Sequence, residues 1–100
     1  MTEGAPLALL IEQCLSETEA RIQRLGDATV SSMFHSIRAQ LLFMREVVAD
    51  QQTPSIEDAN RLTLGVIAVR EFEDTDPAYC DLLCDAAFRF RALAQRPERW

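Results

Sequence analysis

Four stretches of the chain carry apolar residues at alternating spacings of three and four positions, the pattern of one face of an amphipathic α-helix. The first of these apolar stripes is Leu7, Ile11, Cys14, Thr18, Ile22 and Leu25, and the second is Val30, Phe34, Ile37, Leu41, Met44 and Val48. The last comprises Tyr79, Leu83, Ala86, Phe90 and Leu93. Gly26 and Pro54 follow the first two stripes, and Asp76 and Pro77 precede the last, which is typical of helix ends and helix starts. These three stretches are therefore predicted to be helices.

The third stretch is ambiguous between helix and strand. Ser55 to Asp58 form a capping-box signature that opens a helix. The stripe then continues with helical spacing through Ala59, Leu62, Val66 and Val69. Residues 62–69 are nevertheless rich in β-branched side chains and are interrupted by Gly65, so a buried strand is the alternative. Because the sequence offers no second strand for pairing, we predict a helix in which Gly65 marks a close helix crossing.

These elements predict an all-α fold for the 100-residue chain. The connections between the four stretches are only a few residues long, and short connections make neighbouring helices pack antiparallel. A chain of this length is also typical of one domain. The expected architecture is a small antiparallel bundle of three to four helices, forming a single domain over residues 1–100.

The second helix carries more apolar residues than one face can hold. Leu42, Phe43 and Val47 lie outside its stripe, so the helix should contact a second neighbour or a partner protein. These three residues are the first candidate partner-binding surface. They also predict that two copies of the chain associate as a homodimer.

Charge and composition narrow the classes of partner. Sixteen acidic residues against ten basic ones give a net charge of −6, and every basic residue is arginine. An acidic protein repels phosphate backbones, so we expect no nucleic-acid ligand. No stretch approaches the roughly 20 apolar residues of a membrane span. The N-terminus lacks the basic flank of a secretory signal, and we expect a cytoplasmic protein.

Few residues offer reactive chemistry. Cys14, Cys80, Cys84 and His35 can supply four zinc ligands in principle, but their spacing is not that of a structural zinc site. Buried thiols are the favoured interpretation of the three cysteines. His35, the single histidine, has no accompanying nucleophile motif. We therefore predict no catalytic, metal or cofactor-binding residue, and hence a protein that is not an enzyme.

The densest cluster of charged residues in the sequence is acidic. Residues 71–85 contain no basic residue and hold Glu71, Glu73, Asp74, Asp76, Asp81 and Asp85. One interpretation is solvation together with favourable charge at the start of the last helix. The other is a docking surface for a basic partner, with Phe72 as an exposed apolar anchor among the charges. This second candidate partner-binding surface comprises Arg70, Glu71, Phe72, Glu73 and Asp74.

Residues 61–77 resemble a known family. Their Leu-Thr-Leu-Gly, Ile-Ala-Val, Glu-Phe and Thr-Asp-Pro elements are similar to those of the small helical immunity proteins that neutralise NAD(P)-hydrolysing toxins of bacterial type VI secretion. This resemblance implies a helix over residues 62–69. It also implies a secreted toxin domain as partner, bound through acidic side chains.

In size, acidity and lysine-free composition the chain also resembles QslA-like quorum-sensing anti-activators. That resemblance implies binding to a LuxR-type transcriptional regulator, with loss of its dimerisation and DNA binding. An apolar subunit interface would then use Leu42, Phe43 and Val47. Both resemblances imply a non-catalytic inhibitor of another protein. We place the anti-activator interpretation first and the immunity interpretation second.

Overall fold

A computed structural model describes residues 4–25, 32–50 and 54–94. These ranges contain five helices and no strand: α1 (Gly4–Leu25), α2 (Ser32–Ala49), α3 (Ile56–Arg61), α4 (Leu64–Phe72) and α5 (Pro77–Ala94). Helix α5 packs against α1, α3 and α4, while α2 packs against α1 and α4. The all-α bundle is confirmed. Residues 64–69 are helical, so the strand alternative for this run is excluded.

The stripes predicted for α1, α2 and α5 form most of the core. Helix α1 contributes Leu7, Ile11, Cys14 and Thr18, α2 contributes Phe34, Ile37, Leu41, Met44 and Val48, and α5 contributes Tyr79, Leu83, Ala86, Phe90 and Leu93. Burial then fades along the last turns of α1, where Ile22 is half-buried and Leu25 is exposed. The predicted helix stop at Gly26 and the stripe position Val30 lie outside the described residues.

The third stretch is two helices rather than one. Ser55 caps α3 as predicted, because its Oγ accepts a hydrogen bond of 2.9 Å from the backbone N–H of Asp58. The helix ends at Arg61, and Leu62 takes an extended conformation with φ −73° and ψ 127°. Helix α4 then begins at Leu64. The break lies inside the run that the sequence treats as continuous.

This break makes the stripe predicted for the third stretch wrong at its C-terminal end. Val66 and Val69 are exposed. The residues that α4 buries are instead Leu64, Ile67, Ala68 and Phe72. Helical spacing predicts a face only while the helix is continuous, and non-helical residues between α3 and α4 change which side of α4 meets the core.

Gln40 of α2 bridges the break between α3 and α4. Its side-chain oxygen accepts a hydrogen bond of 2.8 Å from the backbone N–H of Thr63. Its side-chain nitrogen donates to the Thr63 hydroxyl at 3.1 Å and also to Ser36 at 3.1 Å. Polar groups freed by the interrupted helix thus find a partner on the neighbouring helix.

Gly65 lies at the crossing of α4 and α5, as predicted. A methyl group added at this position would lie 3.8 Å from Cβ of Ala87, an ordinary van der Waals distance. The two helices are therefore close, but not so close that only glycine fits.

None of the helices in the described ranges is both long enough and apolar enough to cross a membrane.

Candidate protein-interaction site

The junction between α4 and α5 is fixed to α1 by Asp76. The Asp76 carboxylate accepts a hydrogen bond from the backbone N–H of Tyr79, which is the helix cap that the sequence predicts. It also accepts a hydrogen bond of 2.9 Å from Nε of Arg21 on α1. Arg21 also forms an ion pair at 2.8 Å with Glu17, which lies one helical turn earlier on α1. One guanidinium thus links the first helix to the start of the last.

Tyr79 extends this connection into the core. Cζ of Arg21 lies 4.0 Å from the centre of the Tyr79 ring, a cation–π contact. The Tyr79 hydroxyl lies 2.6 Å from the hydroxyl of Thr18, which also donates to the Cys14 carbonyl at 2.8 Å. We call Thr18, Arg21, Asp76 and Tyr79 the α1–α5 clamp. It holds the acidic junction in one position relative to the bundle.

The clamp shifts the pKa values of its charged members. The hydrogen bond from Arg21 lowers the pKa of Asp76, outweighing the opposing effect of burial. Burial acts to lower the pKa of Arg21, but its hydrogen bonds to Asp76 and Glu17 prevail and the pKa is raised. Both groups are held in their charged forms.

Only part of the acidic stretch remains available to a partner. Asp76 pairs with Arg21, Asp85 pairs with Arg89 at 3.0 Å, and Glu71 pairs with its neighbour Arg70 at 3.0 Å. The carboxylates that are exposed and form no ion pair within the described residues are Glu73, Asp74 and Asp81. A basic partner would meet these three first.

The prediction that Phe72 is an exposed anchor is wrong. Phe72 is only 9% exposed. Its ring centre lies 5.0 Å from that of Tyr79 and 5.8 Å from that of Phe34, so the side chain belongs to the core. Phe72 is a helical turn beyond Ala68 on the buried face of α4, a consequence of the break before Leu64.

The apolar surface predicted on α2 is largely occupied within the chain. Leu42 and Val47 are half-buried and pack against the core. Phe43 is 37% exposed, and its ring centre lies 6.2 Å from that of Phe90 on α5. The second neighbour that α2 requires is thus supplied by the same chain. These residues therefore do not by themselves require a homodimer.

A groove on the opposite side of α5 carries the more exposed apolar side chains. It runs between α3, α4 and α5, and we call it the α4–α5 groove; its lining includes Leu62, Gly65, Val66, Cys84, Ala87 and Phe88. Phe88 is 73% exposed and Val66 is 63% exposed. Large apolar side chains around a depression are typical of a binding surface.

Charged groups lie toward the two ends of the α4–α5 groove. Burial, with smaller effects from the Cys80 thiol and then from the carboxylates of Asp81 and Glu73, raises the pKa of Cys84 to about 11. Asp81 also lies three residues before Cys84 on α5, so the two side chains share a face of that helix. Toward the C-terminus of α5, the lining includes Arg91, whose guanidinium donates to Asn60 at 3.3 Å.

The sequence prediction missed this groove. Phe88 lies outside the apolar stripe of α5, so the spacing alone could have identified it as an exposed apolar residue. Val66 gave no such signal, because a continuous third helix would place it in the core. Only the break before α4 turns it outward.

The zinc alternative is not assembled in the described part of the chain. No group of His, Cys, Asp and Glu side chains there is arranged to hold a metal ion. Cys14 and Cys80 are buried free thiols, Cys84 is half-buried and free, and His35 is exposed. Burial, and then the Asp85 carboxylate, raises the pKa of Cys14 to about 12. The thiols thus fit the favoured interpretation of buried apolar side chains.

The family model described as Tsi6 matches residues 7–92. The chain belongs to the Tsi6 family. The immune protein Tsi6 of Pseudomonas aeruginosa is 42% identical over 53 residues, which is 53% of this chain. That alignment spans 55% of the length of the relative, so the chain matches about half of it by sequence.

Solved structures extend the likeness to Tsi6 over nearly the whole chain. A chain in the structure of Tse6 in complex with Tsi6 superposes with a TM-score of 0.78 at 28% identity, covering 92% of this chain and 94% of that one. The structure of Tsi6 from Pseudomonas aeruginosa gives a TM-score of 0.72 at 32% identity, covering 90% and 85%. The predicted resemblance to type VI secretion immunity proteins is confirmed. The anti-activator interpretation, which we placed first, receives no support from these comparisons.

Proposed function

We propose that this Tsi6-family chain is an immunity protein that binds a Tse6-like toxin and neutralises it. The observation that carries the proposal is the superposition over 92% of the chain on a component of the Tse6 and Tsi6 complex. The resemblance of residues 61–77 implies the same role and gives the toxin class as NAD(P)-hydrolysing. We place the protein in the cytoplasm of the cell that it protects.

We propose inhibition by occupancy of a toxin surface, without chemistry on the toxin. The chain offers a bundle whose acidic junction is fixed by the α1–α5 clamp, and a pre-ordered surface loses little conformational entropy on binding. The net charge of −6 attracts a basic toxin surface and speeds association. Glu73 and Asp74, exposed and outside any described ion pair, are the proposed first contacts.

The proposed function predicts a gene for a Tse6-like toxin beside the gene for this chain, and the toxin domain that it encodes is the ligand for the test. We expect co-expression to restore growth of cells that produce the toxin, and the purified proteins to form an equimolar complex by calorimetry. Failure of both binding at micromolar concentration and protection would refute the proposal.

The acidic contact is tested by charge reversal. Because opposite charges would become like charges, we expect Glu73→Arg with Asp74→Arg to weaken toxin binding at least about 10-fold. Glu46→Arg with Asp50→Arg is the matched control, since both residues are exposed, Glu46 in the last turn of α2 and Asp50 directly after it. Equal affinity of the two double variants would contradict a role for the junction.

A further inference from the structure

We infer that the α4–α5 groove receives an apolar side chain of the toxin that has a basic residue beside it. This inference rests on the proposed function and specifies which face of the chain the toxin contacts. It assigns Phe88 and Val66 as apolar contacts and Asp81 and Glu73 as partners of the basic residue.

The apolar part of the inference rests on exposure. Phe88 leaves nearly three quarters of its surface in water, at 73%, although α5 buries its other aromatic side chains, Tyr79 and Phe90. Val66 faces the same groove from α4 and is 63% exposed. A large aromatic beside a depression is the usual form of an interface anchor. Burying both side chains against a partner would remove this surface from water.

The floor of the groove is made of small residues. Gly65 of α4 and Ala87 of α5 meet there, with 3.8 Å between the Cβ of Ala87 and the position of a Cβ on residue 65. Cys84 lies beside them, its Sγ 3.9 Å from the Gly65 carbonyl oxygen. Small side chains between larger ones leave a depression that a partner side chain can enter. All of these residues stand on helices, so the groove exists before binding.

The charged side chains around the groove determine which type of toxin residue can lie beside the inserted apolar side chain. Asp81 lies seven residues before Phe88 on α5, a spacing that places both on one face of the helix. Glu73 is the C-cap of α4, seven residues after Val66. Neither carboxylate forms an ion pair within the described residues, so their charge is available. At the other end, Arg91 donates to the neutral side chain of Asn60 and keeps its positive charge, so a basic residue of the partner is favoured only at the end of the groove near Asp81 and Glu73. A lysine or arginine beside the inserted side chain would find two carboxylates, whereas an aspartate or glutamate there would be repelled. The partner segment is therefore apolar and basic.

The apolar contacts are tested by calorimetry with the same toxin domain. We expect Phe88→Asp to weaken binding about 30-fold or more, the effect of losing an interface anchor. Val66→Asp provides a second variant and should also weaken binding about 10-fold or more. Leu9→Asp is the matched control, because Leu9 is 74% exposed on α1 and is not among the groove residues. Thermal unfolding followed by circular dichroism checks that all three variants fold.

The charge contact is tested by the salt dependence of binding. We expect Asp81→Arg to weaken binding about 10-fold and to reduce the loss of affinity with added salt. Glu46→Arg, on α2, should leave both quantities unchanged.

The outcomes separate this inference from the proposed function. If the unmodified chain binds the toxin and folded Phe88→Asp and Val66→Asp bind it equally well, the groove assignment is wrong and the proposed function stands. If the unmodified chain does not bind the toxin, the proposed function and the inference both fail. Light scattering on the free chain provides a further test. If the chain is a dimer that Phe88→Asp converts to a monomer, the groove is a contact between two copies and the inference is wrong.

Discussion

At the scale of single residues, the α1–α5 clamp is the feature with the largest consequences. Arg21 makes an ion pair with a near neighbour, Glu17, and a second with Asp76 on another element. The first was predictable from spacing, since residues four apart on a helix share a face. The second joins positions 55 residues apart, and no local pattern contains that information.

The clamp predicts how stability depends on pH. The pKa of Asp76 is lower in the folded chain than in the unfolded chain, so the Arg21 pair stabilises the fold above the unfolded value of about 4 and this contribution disappears at more acidic pH. Asp76→Asn keeps a capping side chain but removes the charge. We expect the variant to be less stable than the parent at neutral pH, with the difference decreasing as the pH falls below about 4. Urea unfolding across this pH range measures it, and a constant difference would contradict the clamp.

The buried hydroxyl pair predicts a coupling between Thr18 and Tyr79. Thr18→Val leaves the Tyr79 hydroxyl without its described partner, so we expect a loss of about 1–3 kcal/mol in the free energy of unfolding. Adding Tyr79→Phe removes the unpaired group, and the double variant should lose less than the sum of the single variants. Strictly additive losses in chemical denaturation would show that the two hydroxyls do not interact.

At the scale of helices, the sequence predicts continuous elements well and interruptions poorly. The stripes of α1, α2 and α5 give the buried faces of those helices, and Ser55 gives the start of α3. The break at Leu62 and Thr63 contains neither proline nor glycine. Gly65 lies after the break, in the first turn of α4. What supports the break is Gln40, a polar residue of another helix. A contact between residues 23 positions apart cannot be predicted from the spacing of apolar residues within one helix.

The position of Gly65 at the start of α4 leads to a prediction about stability. An added methyl group meets only Cβ of Ala87 at 3.8 Å, and alanine restricts the unfolded chain more than glycine does. We expect Gly65→Ala to raise the free energy of unfolding by about 0.4–1 kcal/mol. A loss of stability in the alanine variant would mean that the crossing is tighter than the structure indicates.

At the scale of the whole molecule, one of the two candidate surfaces predicted from the sequence stays largely exposed and the other is largely occupied within the chain. The acidic surface keeps Glu73 and Asp74 exposed but loses Phe72 to the core, and the exposed aromatic that we propose as the anchor is Phe88 on α5. The α2 surface is mostly internal packing. The sequence predicts carboxylates around an aromatic anchor, whereas the choice between Phe72 and Phe88 requires the relative placement of α4 and α5.

The packing of Phe43 within the bundle predicts how its substitution changes stability and toxin affinity. Its ring packs on Phe90, so we expect Phe43→Ala to lower the free energy of unfolding by about 1–2 kcal/mol through lost aromatic packing. Toxin affinity should stay within about threefold, a change below 1 kcal/mol. Denaturant unfolding and calorimetry on the same sample measure both quantities. A large loss of affinity with unchanged stability would place the toxin on α2.

The bridge from Gln40 to Thr63 affects which side of α4 faces solvent. Each helical residue turns the chain by about 100°, so a sequence that closed the break into regular helix would rotate α4 relative to α3. The valines now in water would then face inward, and Ile67 and Phe72 would be brought out. The amide of Gln40 on α2 thus acts on the surface that α4 shows to a partner without being part of that surface.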